Sequence, residues 1–170
     1  MTEDYASRIT EYRKVKASEL RANPANFRKH PDKQLKALRG SLRQVGRIAP
    51  LLAYDDPDHG LTLIDGHARL HESDEWDVAI VDLSPDEARL AIALLDPIAA
   101  MATTDAEALR DLLHSIDATD ADVMQHLDDF ATESGIVPDA APLEDDPTVV
   151  DKAEELLGKW QVSLGDVWTI

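Results

Sequence analysis

LIDGHARLHE, residues 63–72, is the stretch on which the reading of this chain turns. An apolar run stops at Asp65-Gly66, and His67, Arg69 and His71 follow within five residues. A strand ending in Gly-His-x-Arg brings three useful things to one tip. Glycine lets backbone approach a phosphate, a helix N-terminus offers free N–H groups, and arginine can hold two oxygens at once. The pattern predicts a strand over Leu61–Ile64 and a short helix over His67–Ser73. On such a helix His67 and His71, four apart, would share a face. That suits a shared metal with His59, Asp65 or Glu72 as third ligand, or else a turn cap and an edge residue with no metal at all.

Outward from this tip, Pro50–Tyr54 reads as the preceding strand, joined to Leu61–Ile64 through the turn-rich DDPDHG. Before it, a helix is expected over Lys33–Val45, capped by Asp32 and closed by Gly46. Leu35, Leu38, Leu42 and Val45 form its apolar face, with Lys36, Arg39 and Arg43 roughly opposite. Arg47 extends that basic stripe past the helix end. The stripe is either a solvated face or a DNA contact. ANPANFRKHP, residues 22–31, is an ordered loop by its Asn-Pro and second proline. Tyr12–Ala17 alternates as a strand, with a short turn at Ser18–Leu20.

Downstream, a strand over Val78–Leu83 is reached through an acidic loop holding Trp76. Ser84 caps a helix beginning at Pro85, with Leu90, Leu94 and Ile98 facing inward and Pro97 kinking or ending it. Helices over Asp105–Ile116 and Asp120–Glu133 follow.

Composition bounds the function. The chain has 170 residues, of which 44% are hydrophobic and only 5% aromatic, so its core is built from Leu, Ile, Val and Ala. The absence of cysteine excludes disulfides, thiolate metal sites and thiol nucleophiles. No apolar run approaches a membrane span, and the charged N-terminus lacks the apolar segment of a signal peptide. A cytoplasmic protein is the simplest fit.

The net charge of −17 is unevenly placed. Residues 1–50 hold twelve Lys and Arg against five Asp and Glu, whereas no Lys or Arg occurs from Asp111 to Asp151. A polyanion would be attracted to the N-terminal third and repelled by the remainder. The two helices after residue 104 share one basic residue, Arg110, which excludes a DNA-recognition role for them and leaves an adaptor or dimerisation bundle.

These elements divide the chain into an α+β domain at 10–103, an acidic helical extension at 104–134 and a proline-rich linker at 135–148. Residues 149–170 read as the start of a following region. The expected domain has a small mixed sheet with flanking helices.

Three segments together, NPANFRKHP at 23–31, SLRQVGRIAPLLAY at 41–54 and LIDGHARLHES at 63–73, resemble the ParB-like N-terminal domain, the ParB/sulfiredoxin fold. The resemblance covers roughly residues 12–101. It is closer still to the form found ahead of phage and prophage DNA methyltransferases, which carries Asp-Gly-His-x-Arg, a Leu-Asp-Pro (here Leu95-Asp96-Pro97) and a passage like KWQVSLGDVWTI at 159–170. Such a chain would be the front part of a longer protein. The resemblance implies a site for CTP or ATP with magnesium, formed by Arg28, Gly46, Arg47, Gly66, His67 and Arg69. Asp65 and Asp96 are the candidate metal ligands. Arg69 is otherwise a structural partner of Asp65 or Asp96.

The departures bear on catalysis. Ala68 and His71 stand where the family usually has arginines, and Asp96-Pro97-Ile98-Ala99-Ala100 stands where it has Glu-Asn-x-x-Arg. His67 occupies the place of sulfiredoxin's nucleophilic cysteine, which excludes that chemistry. The favoured reading is a DNA-associated, nucleotide-binding regulatory or positioning module of a methyltransferase. Its partners would be DNA, held weakly through the basic third, the following methyltransferase domain and a second copy of the chain. S-adenosylmethionine would belong to that following domain alone. The alternatives are an active ParB-fold nuclease or NTPase, and a protein-interaction domain with a vestigial pocket.

Overall fold

The computed structural model describes residues 4–136. The chain divides into two compact units, Met1–Gly135 and Ile136–Ile170, and every element below lies in the first. The linker expected at 135–148 and the region at 149–170 lie, from residue 137 onward, outside the described residues. Among the described residues no helix is long and apolar enough to cross a membrane.

Four strands form one mixed sheet: β1 (Ile9–Lys16), β2 (Leu51–Asp56), β3 (Gly60–Asp65) and β4 (Glu75–Val81), in the order β1-β4-β2-β3. β4 runs antiparallel to β1 and parallel to β2, and β2 and β3 form an antiparallel hairpin. The central strands β2 and β4 are apolar because both of their faces are covered. On one face Leu51, Ala53, Leu63, Trp76, Val78 and Ile80 pack with Val15, Leu20 and Leu70. On the other, Tyr54, Ile64 and Val81 pack with Ala88 and Ile92. β1 is an edge strand, exposed at every position except Val15.

Asp56 holds the hairpin turn. Its buried carboxylate accepts from the Tyr54 hydroxyl, from the backbone N–H groups of Asp58 and His59 at 2.9 and 3.0 Å, and lies 2.9 Å from His59 Nδ1. These bonds, the tyrosine first, keep Asp56 well below the ordinary carboxylate range. Burial and the same carboxylate push the Tyr54 phenol up to about 12.

The helices are α1 (Asp32–Val45), α2 (Pro85–Ala99), α3 (Ala106–Ser115) and α4 (Ala121–Glu133). α2 opens with a capping box between Ser84 and Glu87. Its packing corrects the expected inner face, because Leu90, Leu94 and Ile98 are 58%, 44% and 59% exposed. The helix uses Ala88 and Ile92 instead. At 100° per residue, position 90 lies about 200° round from position 88, so both patterns cannot face the sheet. α2 also runs two residues past Pro97.

Other boundaries differ for local reasons. Pro31 takes the N-cap position of α1 without a side-chain bond, so Asp32 is already helical. Val45 stays exposed at the helix end. Trp76 belongs to β4 rather than to the loop before it, fully buried with its indole N–H donating to Leu70 O at 3.1 Å. The α3–α4 pair lies in the same unit as the sheet, with α4 packed along α1.

Candidate functional site

β3 ends at Asp65, and Gly66 turns the chain at φ +100°. A Cβ there would lie 2.4 Å from Leu51 Cδ2, so both the conformation and the space demand glycine. The carbonyl of Gly66 accepts from Arg69 N and Leu70 N at 2.9 and 3.1 Å, winding the next residues tightly. They form a 3-10 turn, Leu70–Glu72, rather than the expected helix over His67–Ser73. The geometry that would have placed His67 and His71 on one helix face is therefore missing. Among the described residues, no group of three His, Asp or Glu side chains suits a metal.

Arg69 folds back against its own strand. Nη1 donates to Ala49 O at 3.0 Å and Nη2 to Asp65 Oδ2 at 2.9 Å. Its side chain is 19% exposed, while that of Asp65 is 51% exposed. Of the two carboxylates considered for it, Arg69 takes Asp65. The other, Asp96 on α2, pairs with Arg28 Nε at 2.5 Å.

The loop carrying Arg28 is stapled to β3. Arg21 N donates to Leu61 O, and Leu63 N donates to Arg21 O. Asn23 then turns the chain, its side-chain oxygen accepting from Ala25 N at 2.9 Å. The Asn23 backbone N–H donates to Nε2 of His67 at 3.1 Å. Burial is the main cause that lowers the His67 pKa, reinforced by nearby His30 and opposed by Asp65 and Asp96. His67 is thus a neutral ring whose Nε2 accepts, leaving its proton on Nδ1. A hydrogen bond from His67 to an anion would therefore come from Nδ1, because protonating Nε2 would break the bond to Asn23.

These residues surround a cleft of about 210 Å³, lined by Arg28, Asp65, Gly66, His67, Arg69 and Asp96 with the apolar Ile64 and Ile92. Six residues expected from the sequence are therefore brought together. The cleft also takes His30 and Gln34, which the sequence motifs do not single out. They sit four apart, with His30 Nδ1 3.1 Å from Gln34 Oε1, and His30 Nε2 is buried without a hydrogen-bond partner. A polar pair at that spacing astride a helix start was the available signal.

The remaining candidates lie elsewhere. Gly46 ends α1 at φ +76°. Arg47 stacks 5.4 Å over the Trp76 ring and donates to Glu75 O, in a separate shallow cleft. On α1, Arg39 forms a two-pronged pair with Glu72 at 2.9–3.0 Å, and Arg43 is bound to Asp120 and Asp122. Lys36 is exposed. Two of the four cations of the basic stripe, Arg39 and Arg43, are thus held by the chain's own carboxylates.

No family model matches the chain, and no curated relative matches it. Among solved structures, it is similar to the C-terminally truncated chromosome-partitioning protein ParB from Caulobacter crescentus complexed with CTP-gamma-S. The identity is 18% and the TM-score 0.53, covering 92% of this chain and 89% of that one. The truncated ParB complexed to the centromeric parS site gives 15% identity and a TM-score of 0.42, over 89% and 80% of the two chains. The first likeness shows the fold: a small mixed sheet with flanking helices, of the ParB-like kind.

Proposed function

We propose that this chain is a DNA-associated regulatory or positioning module whose cleft at the end of β3 binds the phosphates of a nucleotide. The observation that carries the reading is the convergence of Arg28, Arg69 and the Gly66 turn on one cleft. A ParB of the same fold holds CTP-gamma-S, which makes CTP the first ligand to test and ATP the second. Both arginines already hold a carboxylate, so a phosphate must take the place of Asp96 at Arg28 and of Asp65 at Arg69. Each exchange swaps one anion for another at a guanidinium suited to either. The released carboxylates are hard oxygen ligands, and Asp65 and Asp96 would hold the magnesium that neutralises a bound triphosphate.

The methyltransferase context rests on the resemblance at Asp96-Pro97 and at KWQVSLGDVWTI. Hydrolysis is not part of the proposal, because Pro97 and Ala100 stand where the resembled family has its Asn and Arg. A second reading, a protein-interaction domain with an unused pocket, is favoured by the balanced charge of the cleft and by the exposed Leu90, Leu94 and Ile98.

Calorimetric titration of the full chain with CTP and with ATP, each with magnesium, separates the two. The proposal expects saturable binding that falls at least tenfold in Arg28→Ala, which disturbs only a half-exposed pair. Absence of binding by the unmutated chain would leave the interaction reading in its place.

A further inference from the structure

Along α1, Lys33, Lys36, Gly40 and Arg43 follow at spacings of three and four, so they form one stripe on the helix. α4 lies against that stripe, antiparallel and with charges matched at both ends. At one end Arg43 donates from Nε to Asp120 Oδ2 and from Nη2 to Asp122 Oδ2, both at 2.7 Å. At the other, Lys33 Nζ lies 3.1 Å from Asp129 and 3.7 Å from Glu133. Gln44 closes the Arg43 end, donating to Asp117 O and accepting from the backbone N–H groups of Thr119 and Asp120.

Gly40 sits in the middle of this contact and sets its closeness. A Cβ at Gly40 would lie 2.6 Å from Asp120 Oδ1 and 3.0 Å from Val123 Cγ2. The Asp120 carboxylate cannot easily swing away, because it caps α4 through the N–H groups of Asp122 and Val123 while gripping Arg43. Yet the cations are wet: Arg43 and Lys33 are 54% and 64% exposed, over Asp120 and Asp129 at 15% and 28%. Ion pairs of this kind are held weakly and yield to salt.

We infer that α4 is a built-in competitor for nucleic acid, its carboxylates occupying the cations of α1 that would otherwise hold the phosphate backbone of a duplex. The seam has the form such a device needs. It presents acidic groups at both ends of the eleven-residue basic span Lys33–Arg43, held by contacts a polyanion of higher charge density can displace. Lys36 remains exposed on the same stripe as a first point of contact. The choice of duplex DNA as partner rests on the DNA-associated reading above, while the cleft plays no part in the seam.

Binding of a random-sequence DNA duplex to the full chain at several salt concentrations tests this. Gly40→Ala wedges α4 away without changing any charge, and alanine favours the α1 helix. The inference expects its DNA affinity to rise on the order of tenfold at low salt. The salt slope should steepen by roughly 0.9 for each cation uncovered. A triple variant, Asp122→Asn with Asp129→Asn and Glu133→Gln, keeps the Asp120 cap and its bond to Arg43 and should give a smaller rise, chiefly through Lys33. Adding Lys33→Ala and Arg43→Ala to either should abolish the gain. DNA affinity unchanged in both opened variants overturns the inference, and so does a gain that survives loss of Lys33 and Arg43. Nucleotide titration of the same variants reads the cleft separately, so failure here leaves the cleft proposal standing.

Discussion

The cleft at the end of β3 and the seam between α1 and α4 are built from the same chemistry, arginines facing aspartates, yet they are held differently. In the cleft, Arg69 is mostly buried and one of its two bonds goes to a backbone carbonyl, Ala49 O. Along the seam, Arg43 is half-exposed and its charged partners are all side chains. The bond to backbone keeps Arg69 in the fold even when its carboxylate is exchanged, whereas Arg43 is held by carboxylates alone, Asp120 at 15% and Asp122 at 40% exposed. The two glycines repeat the contrast. Gly66 is fixed by conformation and packing together, and Gly40 by the nearness of one neighbouring helix alone.

The largest expected effect separates those glycines. Gly66→Ala should lose about 3 kcal/mol or more, combining a side chain forced into Leu51 with a positive φ. Gly40→Ala should leave the urea midpoint close to that of the parent. Equal losses from the two substitutions, measured by urea denaturation, would break the comparison.

Next in size come the arginines. Arg69→Ala leaves Ala49 O without its donor and Asp65 alone but half in water, so a loss of about 1–3 kcal/mol is expected. Arg43→Ala should change the urea midpoint less, since Asp122 is 40% exposed and Asp120, though only 15% exposed, keeps its bonds from the N–H groups of Asp122 and Val123. A larger loss at Arg43 than at Arg69 would reverse the assignment of fold and surface.

The smallest effect is one of pH, and it sharpens the contrast by acting on the two regions in different windows. The His67 pKa is lowered in the fold, so the unfolded chain binds the proton more readily. Its contribution is complete above the ordinary value of 6.5 and is lost as pH falls through the lower folded value. Along the seam, bonds from Arg43 and Lys33 lower Asp120 and Asp129 below 3.8, so those contributions persist until far more acid conditions. Amide protection factors, taken relative to the intrinsic rate at each pH, should therefore fall first at Asn23 and the Gly66 turn as pH drops below 6.5. His67→Gln, which keeps an acceptor without titrating, should abolish that response. Simultaneous loosening of both regions would contradict the separate windows.

Legibility in the sequence follows the range of the interactions involved. β2 and β3 stand out in LLAY and LTLI because strands covered on both faces read as apolar runs. Gly66, His67 and Arg69 were found together because one turn contains them. Trp76 was missed as a strand residue because Glu75 and Asp77 flank it, although Glu-Trp-Asp-Val is the out-in-out-in alternation of a strand. On α2 the eye follows Leu90, Leu94 and Ile98, but the sheet accepts Ala88 and Ile92, where the small alanine lets the helix approach. Which carboxylate each arginine takes is unreadable in a chain with 34 Asp and Glu, because tertiary structure alone brings Asp96 to Arg28 or Asp120 to Arg43.

The edge position of β1 has a consequence for the birth of the protein. β1 leaves the ribosome early, but it pairs with β4, so Lys16 must wait for Glu75 and Tyr12 for Ala79. At roughly 5–20 residues per second, the strand spends several seconds with both edges open. An open strand of that length invites pairing with other nascent chains. Arg13, Lys14 and Lys16, close together on β1, make such pairing between identical strands self-repelling. The positive charge of this segment thus opposes edge-to-edge pairing of identical strands, both before the sheet exists and on its finished rim.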